Sequence, residues 1–226
     1  FVQNQFFPAS DRPEILVDLN LPQNASIEET LKVTQRFEDT LKGDPDILRW
    51  SSYIGEGAIR FYLPLDQQLQ NPFYAQLVIV STGLESRDAL MDRLNKRLRE
   101  DFVGVGSFVH TLELGPPVGQ PLQYRVSGSN VDLVRKYSLD LASILDANPN
   151  VGETIFNWNE PGKVLRVDIA QDKARQFGLS SEDVAHVMNS IVSGAAVSQV
   201  KDDIYLINIV GRAIGNERDT PQPLLN

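Results

Sequence analysis

The stretch Glu14–Pro22, EILVDLNLP, decides the fold. Ile15, Val17, Leu19 and Leu21 alternate with Asp18 and Asn20, the period of a strand with one face in a core. Just beyond it, Ser26 and Glu29 have the spacing of a capping box, whose two side chains satisfy orphan backbone donors at a helix start. The helix opened there places Ile27, Leu31, Phe37 and Leu41 inward and stops at Gly43, ahead of Pro45. A strand, DILRWSSYI, is expected next. The unit then continues as strand (YAQLVIVS), helix (SRDALMDRLNKRLREDF, with Leu90, Leu94 and Leu98 inward) and strand (SFVHTLEL).

The second half repeats this order. Leu122, Tyr124 and Val126 alternate, and a helix follows with Val134, Tyr137, Leu141 and Ile144 at helical spacing. It ends at Asn148-Pro149, and VGETIFNW and KVLRVDIA read as strands. GDPDI in the first half and ANPNV in the second punctuate the two units at the same place. Ser180 caps a helix carrying Val184, Met188 and Ile191, and a strand pair, AAVSQV and DIYLINIV, turns at Asp202-Asp203. Strand-helix-strand twice over is the split βαβ pattern. The expected class is α+β: two tandem ferredoxin-like βαββαβ sandwiches, with antiparallel sheets and helices on one face. The expected units are residues 1–116, 117–194 and 195–226, the second lacking its fourth strand and the third a hairpin and tail.

Composition narrows the function. The chain has 226 residues, a net charge of −9 and no cysteine. That charge argues against nucleic acid, which needs a basic footprint. The missing cysteines remove thiolate metal sites and Cys nucleophiles, and fit an oxidising compartment without requiring one. No window approaches the roughly 18 apolar residues of a membrane helix. A start at Phe1 without a signal sequence reads as a piece excised from a longer chain. GVGSF and GEG lack nucleotide-binding spacing, no serine sits in a nucleophile elbow, and so no catalytic residue and no cofactor are expected. His110 and His186 each stand without a second ligand at metal spacing, so no metal site is expected. His110 has the chemistry of a pH sensor and also that of an ordinary solvated strand residue.

Four phrases carry a resemblance: FFPASDRPEILVDLNLP, IGEGAIRFYLPL, LELGPPVGQPLQYRVSG and WNEPGKVLRVDIAQDKARQFGLSSEDVA. Together they resemble the second large periplasmic loop of resistance-nodulation-division (RND) transporters of the drug-exporting branch, over nearly the whole chain. The resemblance implies two porter subdomains and the start of a docking subdomain. It also implies a trimeric, proton-driven antiporter of a bacterial inner membrane. Such a pump works with a periplasmic adaptor protein and an outer-membrane channel, and exports hydrophobic or amphiphilic small molecules. The proton-carrying residues of the family lie in membrane helices outside this chain.

The resemblance also implies site residues. A Gly-rich switch loop would run from Gly55 and Gly57 through Arg60, Phe61 and Tyr62 to Phe73. Trp50, Ser52 and Leu77 match pocket-facing positions, Tyr53 lies on the other face of its strand, and Phe108, His110 and Glu113 match an entrance cleft. Broad aromatic faces pack on many apolar shapes, which suits a promiscuous pocket. The same aromatics also suit a simple plug at the sandwich edge, and Trp50 suits an ordinary core. The two glycines and the polar run DQQLQN predict a loosely packed, mobile loop. Two other readings stand beside the drug pump. One is a free-standing tandem ferredoxin-like ligand-binding or regulatory domain; the other is a metal-exporting pump, which methionine pairs would favour, whereas only Met91 and Met188 occur.

Overall fold

Residues Glu14–Asn20 form strand β1, and the first half of the molecule is arranged about it. The computed structural model describes residues 10–115, 122–148, 151, 154–158, 161–164 and 166–215. The chain separates into two units, 1–163 and 164–226, each taken by itself below. In the first, β1 is followed by α1 (Ile27–Leu41), β2 (Ile47–Ile54), β3 (Tyr74–Ser81), α2 (Leu84–Asp101) and β4 (Gly106–Thr111). The sheet runs β2-β3-β1-β4 with every neighbouring pair antiparallel. Helix after strand, twice, with β1 inserted between β3 and β4, is the ferredoxin-like sandwich. The fold class is α+β, with antiparallel sheets and helices.

The helices cover one face of this sheet. Ile15, Val17 and Leu19 of β1 meet Ala75, Leu77 and Ile79 of β3 there, under Phe37, Leu41, Leu90, Leu94 and Leu98. Phe37 and Phe102 close the core edge to face, with ring centroids 5.5 Å apart. Helix α2 buries the three leucines its spacing predicts. Helix α1 buries half of its predicted stripe: Phe37 and Leu41 are buried, whereas Ile27 and Leu31 are 46% and 41% exposed and Thr30 and Thr34 are buried instead. The reason is hydrogen bonding from threonine hydroxyls to backbone carbonyls, both within the helix and across to the β2–β3 connection. Thr30 Oγ1 reaches the carbonyls of Ser26 (3.1 Å) and Pro72 (2.7 Å), and Thr34 Oγ1 donates to the carbonyl of Thr30 at 2.8 Å. A hydroxyl satisfied in this way is buried at little cost, which turns the helix off its most apolar side. Ser26 opens the helix by accepting the Glu29 N–H at 3.2 Å, one of the two bonds of the expected capping box.

The other face of the sheet is covered by the connection between β2 and β3. Leu16 and Leu112 pack there against Ala58 and Leu65 of that loop, with Tyr53, Tyr62 and Val78 around them. The loop's neck is tied by backbone bonds, Gly55 N–H to the Tyr74 carbonyl and Asn71 N–H to the Gly55 carbonyl, both 2.8 Å. Gly55 sits at φ 78°, which a side chain rarely adopts.

Further along the first unit, helix α3 (Val131–Asp146) forms where predicted and is capped by Asn130, which accepts the Leu133 N–H at 3.0 Å. Its predicted core face is shallow: Ala142 alone is buried, while Tyr137 and Ile144 are exposed. Residues 122–126, 154–158 and 161–163 carry no strand. Alternation there supplies a pattern without enough covered apolar area to offset the ordering of the chain. Within the WNEPGK stretch, Gly162 abuts Asn24, whose Nδ2 donates to the Lys163 carbonyl at 2.9 Å. The joint at 116–121 and Pro149 lie outside the described residues.

The second unit holds α4 (Gln171–Gln176), α5 (Ser181–Val192) and a hairpin of β5 (Ala195–Asp202) and β6 (Tyr205–Gly211). Residues 164 and 166–170, within the expected KVLRVDIA strand, are not in a strand. A full capping box forms between Ser180 and Asp183. Val184, Met188 and Ile191 are half-buried along α5. Asp203 makes the predicted hairpin turn at φ 50°, a conformation Asp tolerates. Both strands of the hairpin are exposed along their whole length.

Candidate functional site

Strand alternation sends Asp18 of β1, Gln76 of β3 and Phe108 of β4 to the loop-covered face, side by side in the register. Between them and the loop lies a cavity of about 210 Å³. Tyr62, Phe108 and His110 give it aromatic walls, and Asp18, Asp66 and Glu113 line it with carboxyl groups. No Lys or Arg lines it among the described residues. An aromatic wall with an acidic rim is a surface for amphiphilic molecules, above all those carrying positive charge.

The cavity's polar floor is a hydrogen-bonded cluster. Asp18 Oδ1 accepts from the Tyr74 hydroxyl at 2.8 Å and from Gln76 Nε2 at 2.7 Å. Gln76 Oε1 accepts the Ala58 N–H of the loop at 2.8 Å. His110 Nε2 stands 3.4 Å from Asp18 Oδ2, its ring stacked on Phe108 with centroids 4.5 Å apart. Burial, reinforced by the charge and hydrogen bond of Asp18, pushes the Tyr74 phenol far up, so it remains a donor.

The loop is anchored at particular points, while the polar run 66–70 is exposed, as the expectation of loose packing has it. The Tyr62 hydroxyl donates to the Glu113 carbonyl at 2.5 Å. The Arg12 guanidinium lies over Phe61 and Tyr62, 5.9 and 5.4 Å from their centroids, and pairs with Glu14. Gly57 fits against Gln68 so closely that a Cβ would stand 2.8 Å from the Gln68 Cβ. The expectation of low packing missed the contacts to Glu113 and Arg12 because both join the loop to a residue distant in sequence. Arg60 holds the loop internally, an Nη reaching the Leu65 carbonyl at 3.4 Å.

The predicted site residues fall into two groups. Tyr62, Phe108 and Glu113 line the cavity, Tyr53 packs in the small core beside it, and Phe61 lies under Arg12 outside the lining. Trp50, Ser52 and Leu77 lie on the helix-covered face. Leu77 is fully buried in the main core, and Glu38 of α1 accepts from Trp50 Nε1 at 3.3 Å and Ser52 Oγ at 2.6 Å. Phe73 is half-buried at the loop's end, its carbonyl accepting from Leu21 N–H at 2.9 Å. Asp18, Gln76, Tyr74 and Asp66 were missed. One signal was available: Gln76 is the polar interruption in the apolar run Ala75–Val80. His186 belongs to the second unit, exposed on α5 with Glu182 at 3.6 Å.

A family model described as the AcrB/AcrD/AcrF family matches residues 1–225. Among solved structures, a heavy metal efflux pump matches in two crystal forms. The first has a TM-score of 0.70 at 16% identity, covering 97% of this chain and 24% of that one. The second has a TM-score of 0.69 at 17% identity, covering 96% and 23%. The chain therefore spans about a quarter of the pumps it matches. At such identity the likeness concerns the fold.

Proposed function

Because the chain belongs to the AcrB/AcrD/AcrF family, we propose that it is the substrate-binding and export portion of a proton-driven RND multidrug efflux pump. In this reading it stands on the periplasmic side of a bacterial inner membrane. No helix among the described residues is long and apolar enough to cross one. Residues 1–116 and 117–194 would be porter subdomains and 195–226 the start of the docking subdomain. The intact protein would be a trimer working with an adaptor and an outer-membrane channel. The chain itself binds and passes on its ligand without chemical change, and needs no catalytic residue or cofactor.

The observation that carries this reading is the cavity beneath the β2–β3 loop, aromatic on its walls and acidic at its rim. Hydrophobic or amphiphilic small molecules fit such a lining. Tyr62, Phe108 and Glu113 would contact them directly, with Phe61 next to Tyr62 under Arg12. Gly55 and Gly57 would shape the loop, with Arg60 bracing it and Tyr53 supporting it from below. Trp50, Ser52, Leu77 and Phe73 would act through the sheet and the loop's end. Metal export is less favoured, since Met91 packs against the main core and Met188 is a lone residue on α5.

The test is Phe108→Ala in the intact pump, with cells challenged by aromatic drugs. A fully buried ring contributes roughly 1.5–3 kcal/mol, and a half-buried one less, so tolerance to the largest drugs should fall several-fold. Protein levels should stay unchanged. Unaltered drug tolerance with lost metal tolerance would replace the drug reading by the metal one.

A further inference from the structure

Residues 10–13, which lead into β1, are tied down before the strand begins. The Ser10 N–H donates to the Leu112 carbonyl and the Ser81 N–H to the Pro13 carbonyl, both at 3.0 Å. Arg87 of α2, whose side chain is 11% exposed, donates through Nη1 to the carbonyls of Ser10 (2.7 Å) and Arg12 (3.0 Å). The Arg12 side chain therefore starts from a fixed point.

Glu14 aims that side chain. Alternation along β1 puts Glu14 on the same face as Leu16 and Asp18, the face covered by the 55–73 loop between β2 and β3. Its carboxylate accepts from Arg12 Nε at 3.1 Å and from Nη2 at 2.5 Å, a two-bond fork that fixes the plane of the guanidinium as well as its position. The guanidinium then lies over Phe61 and Tyr62, whose ring faces attract a cation. Tyr62 in turn lines the cavity, with its hydroxyl bonded to the Glu113 carbonyl. Direct contacts thus run from α2 through residues 10–13 to one wall of the cavity.

We propose that Arg12 is a positioning residue for the cavity, a strut braced by Arg87 and Glu14 that sets the pose of Tyr62. Its exposure limits what it adds to the stability of the whole unit, whereas both rings it covers belong to the loop. Removing it loosens the 55–73 loop and leaves the sheet intact. A looser Tyr62 offers a ligand a less ordered wall. That consequence rests on reading the cavity as a ligand site; the bracing of the loop does not.

The experiment is hydrogen–deuterium exchange in the intact, ligand-free protein, following two loop amides. The Leu65 N–H, bonded to the Tyr62 carbonyl, reports the loop, and the Asn71 N–H, bonded to the Gly55 carbonyl, reports its neck. Arg12→Gln should lower Leu65 protection about 2- to 10-fold, the range of one or two exposed cation–π contacts, and leave Asn71 unchanged. Arg12→Lys should lose nearly as much, since an ammonium keeps the charge but has neither the flat face nor the fork. Arg87→Met should also weaken Leu65 protection, and should add nothing further to Arg12→Gln in the double variant. Unchanged Leu65 protection in Arg12→Gln, full rescue by lysine, or equal falls at Leu65 and Asn71 overturn the proposal even if Arg87→Met fails to fold. Fully additive falls in the double variant overturn the bracing by Arg87. For ligands the probe is phenylnaphthylamine, a neutral aromatic dye, whose affinity for the intact pump should fall about 2- to 10-fold in Arg12→Gln. Equal affinity there, where Phe108→Ala weakens the dye, overturns the consequence for ligands. Exchange is read without ligand, so its outcome stands apart from drug tolerance in Phe108→Ala, which bears on the cavity's function alone.

Discussion

Strands β1 and β6 are both seven residues long and rich in branched apolar side chains, yet they meet opposite fates. β1 lies between two neighbours with helices over one face and the 55–73 loop over the other, so Ile15, Leu16, Val17 and Leu19 are all buried. β6 pairs with β5 alone, and Tyr205, Leu206, Ile207, Ile209 and Val210 remain exposed. Burial is thus decided by what covers the two faces of a strand, not by the strand's own sequence.

The largest expected effect follows directly. Phe37→Ala, which empties the centre of the main core, should destabilise the first unit by about 3–5 kcal/mol in urea unfolding. Ile207→Ala in β6 should change stability by less than about 0.5 kcal/mol. The contrast breaks if the two costs converge. That would mean the hairpin is covered in solution, and sedimentation would then show association through its open edge.

A smaller effect sharpens the contrast from within the first unit. Thr30→Val keeps the shape of a buried side chain and removes the hydroxyl that reaches Pro72. A loss of about 1 kcal/mol is expected, read as a shift in the unfolding midpoint at unchanged slope. A neutral result would mean that α1 is positioned by its apolar contacts alone.

The smallest effect lies at the edge of the sheet. The hydrogen bond from Arg12 holds the Glu14 carboxyl below its usual range, against the opposing effect of partial burial. A depressed value stabilises the fold above the ordinary carboxylate range, and that stability is lost as pH falls through the lowered value. Arg12 is substantially exposed, so the contribution is about 0.5 kcal/mol or less after solvent screening. Arg12→Gln should flatten this part of the acid limb of the unfolding curve; an identical limb would leave the pair without energetic weight.

Sequence periodicity reached the elements of the first unit because their signals are local. Leu90, Leu94 and Leu98 need only helical spacing, and Ile15, Val17 and Leu19 only a period of two. It placed Phe37 and Leu41 of α1 inward correctly but misplaced the first half of the stripe, because the carbonyl of Pro72 that Thr30 reaches lies 42 residues away. In the second half, alternation at Leu122, Tyr124 and Val126 predicted a strand, but a pattern forms a sheet only where a partner ladder exists. The cavity was partly legible. Tyr62, Phe108 and Glu113 followed from the resemblance, whereas Asp18 and Gln76 become neighbours only through the β1–β3 register across 58 residues.

The two backbone bonds at the neck of the 55–73 loop have a consequence for how such a protein diversifies. They close the loop at its base, so residues added or deleted between Gly57 and Gln70 change its outline without altering the pairing of β2 with β3. Loop-closure entropy grows slowly with length, which makes such insertions inexpensive. Selection can therefore recast the roof of the cavity in small steps, each tolerated by an unchanged sheet, and a donor loop of different length can be grafted between the same two ends.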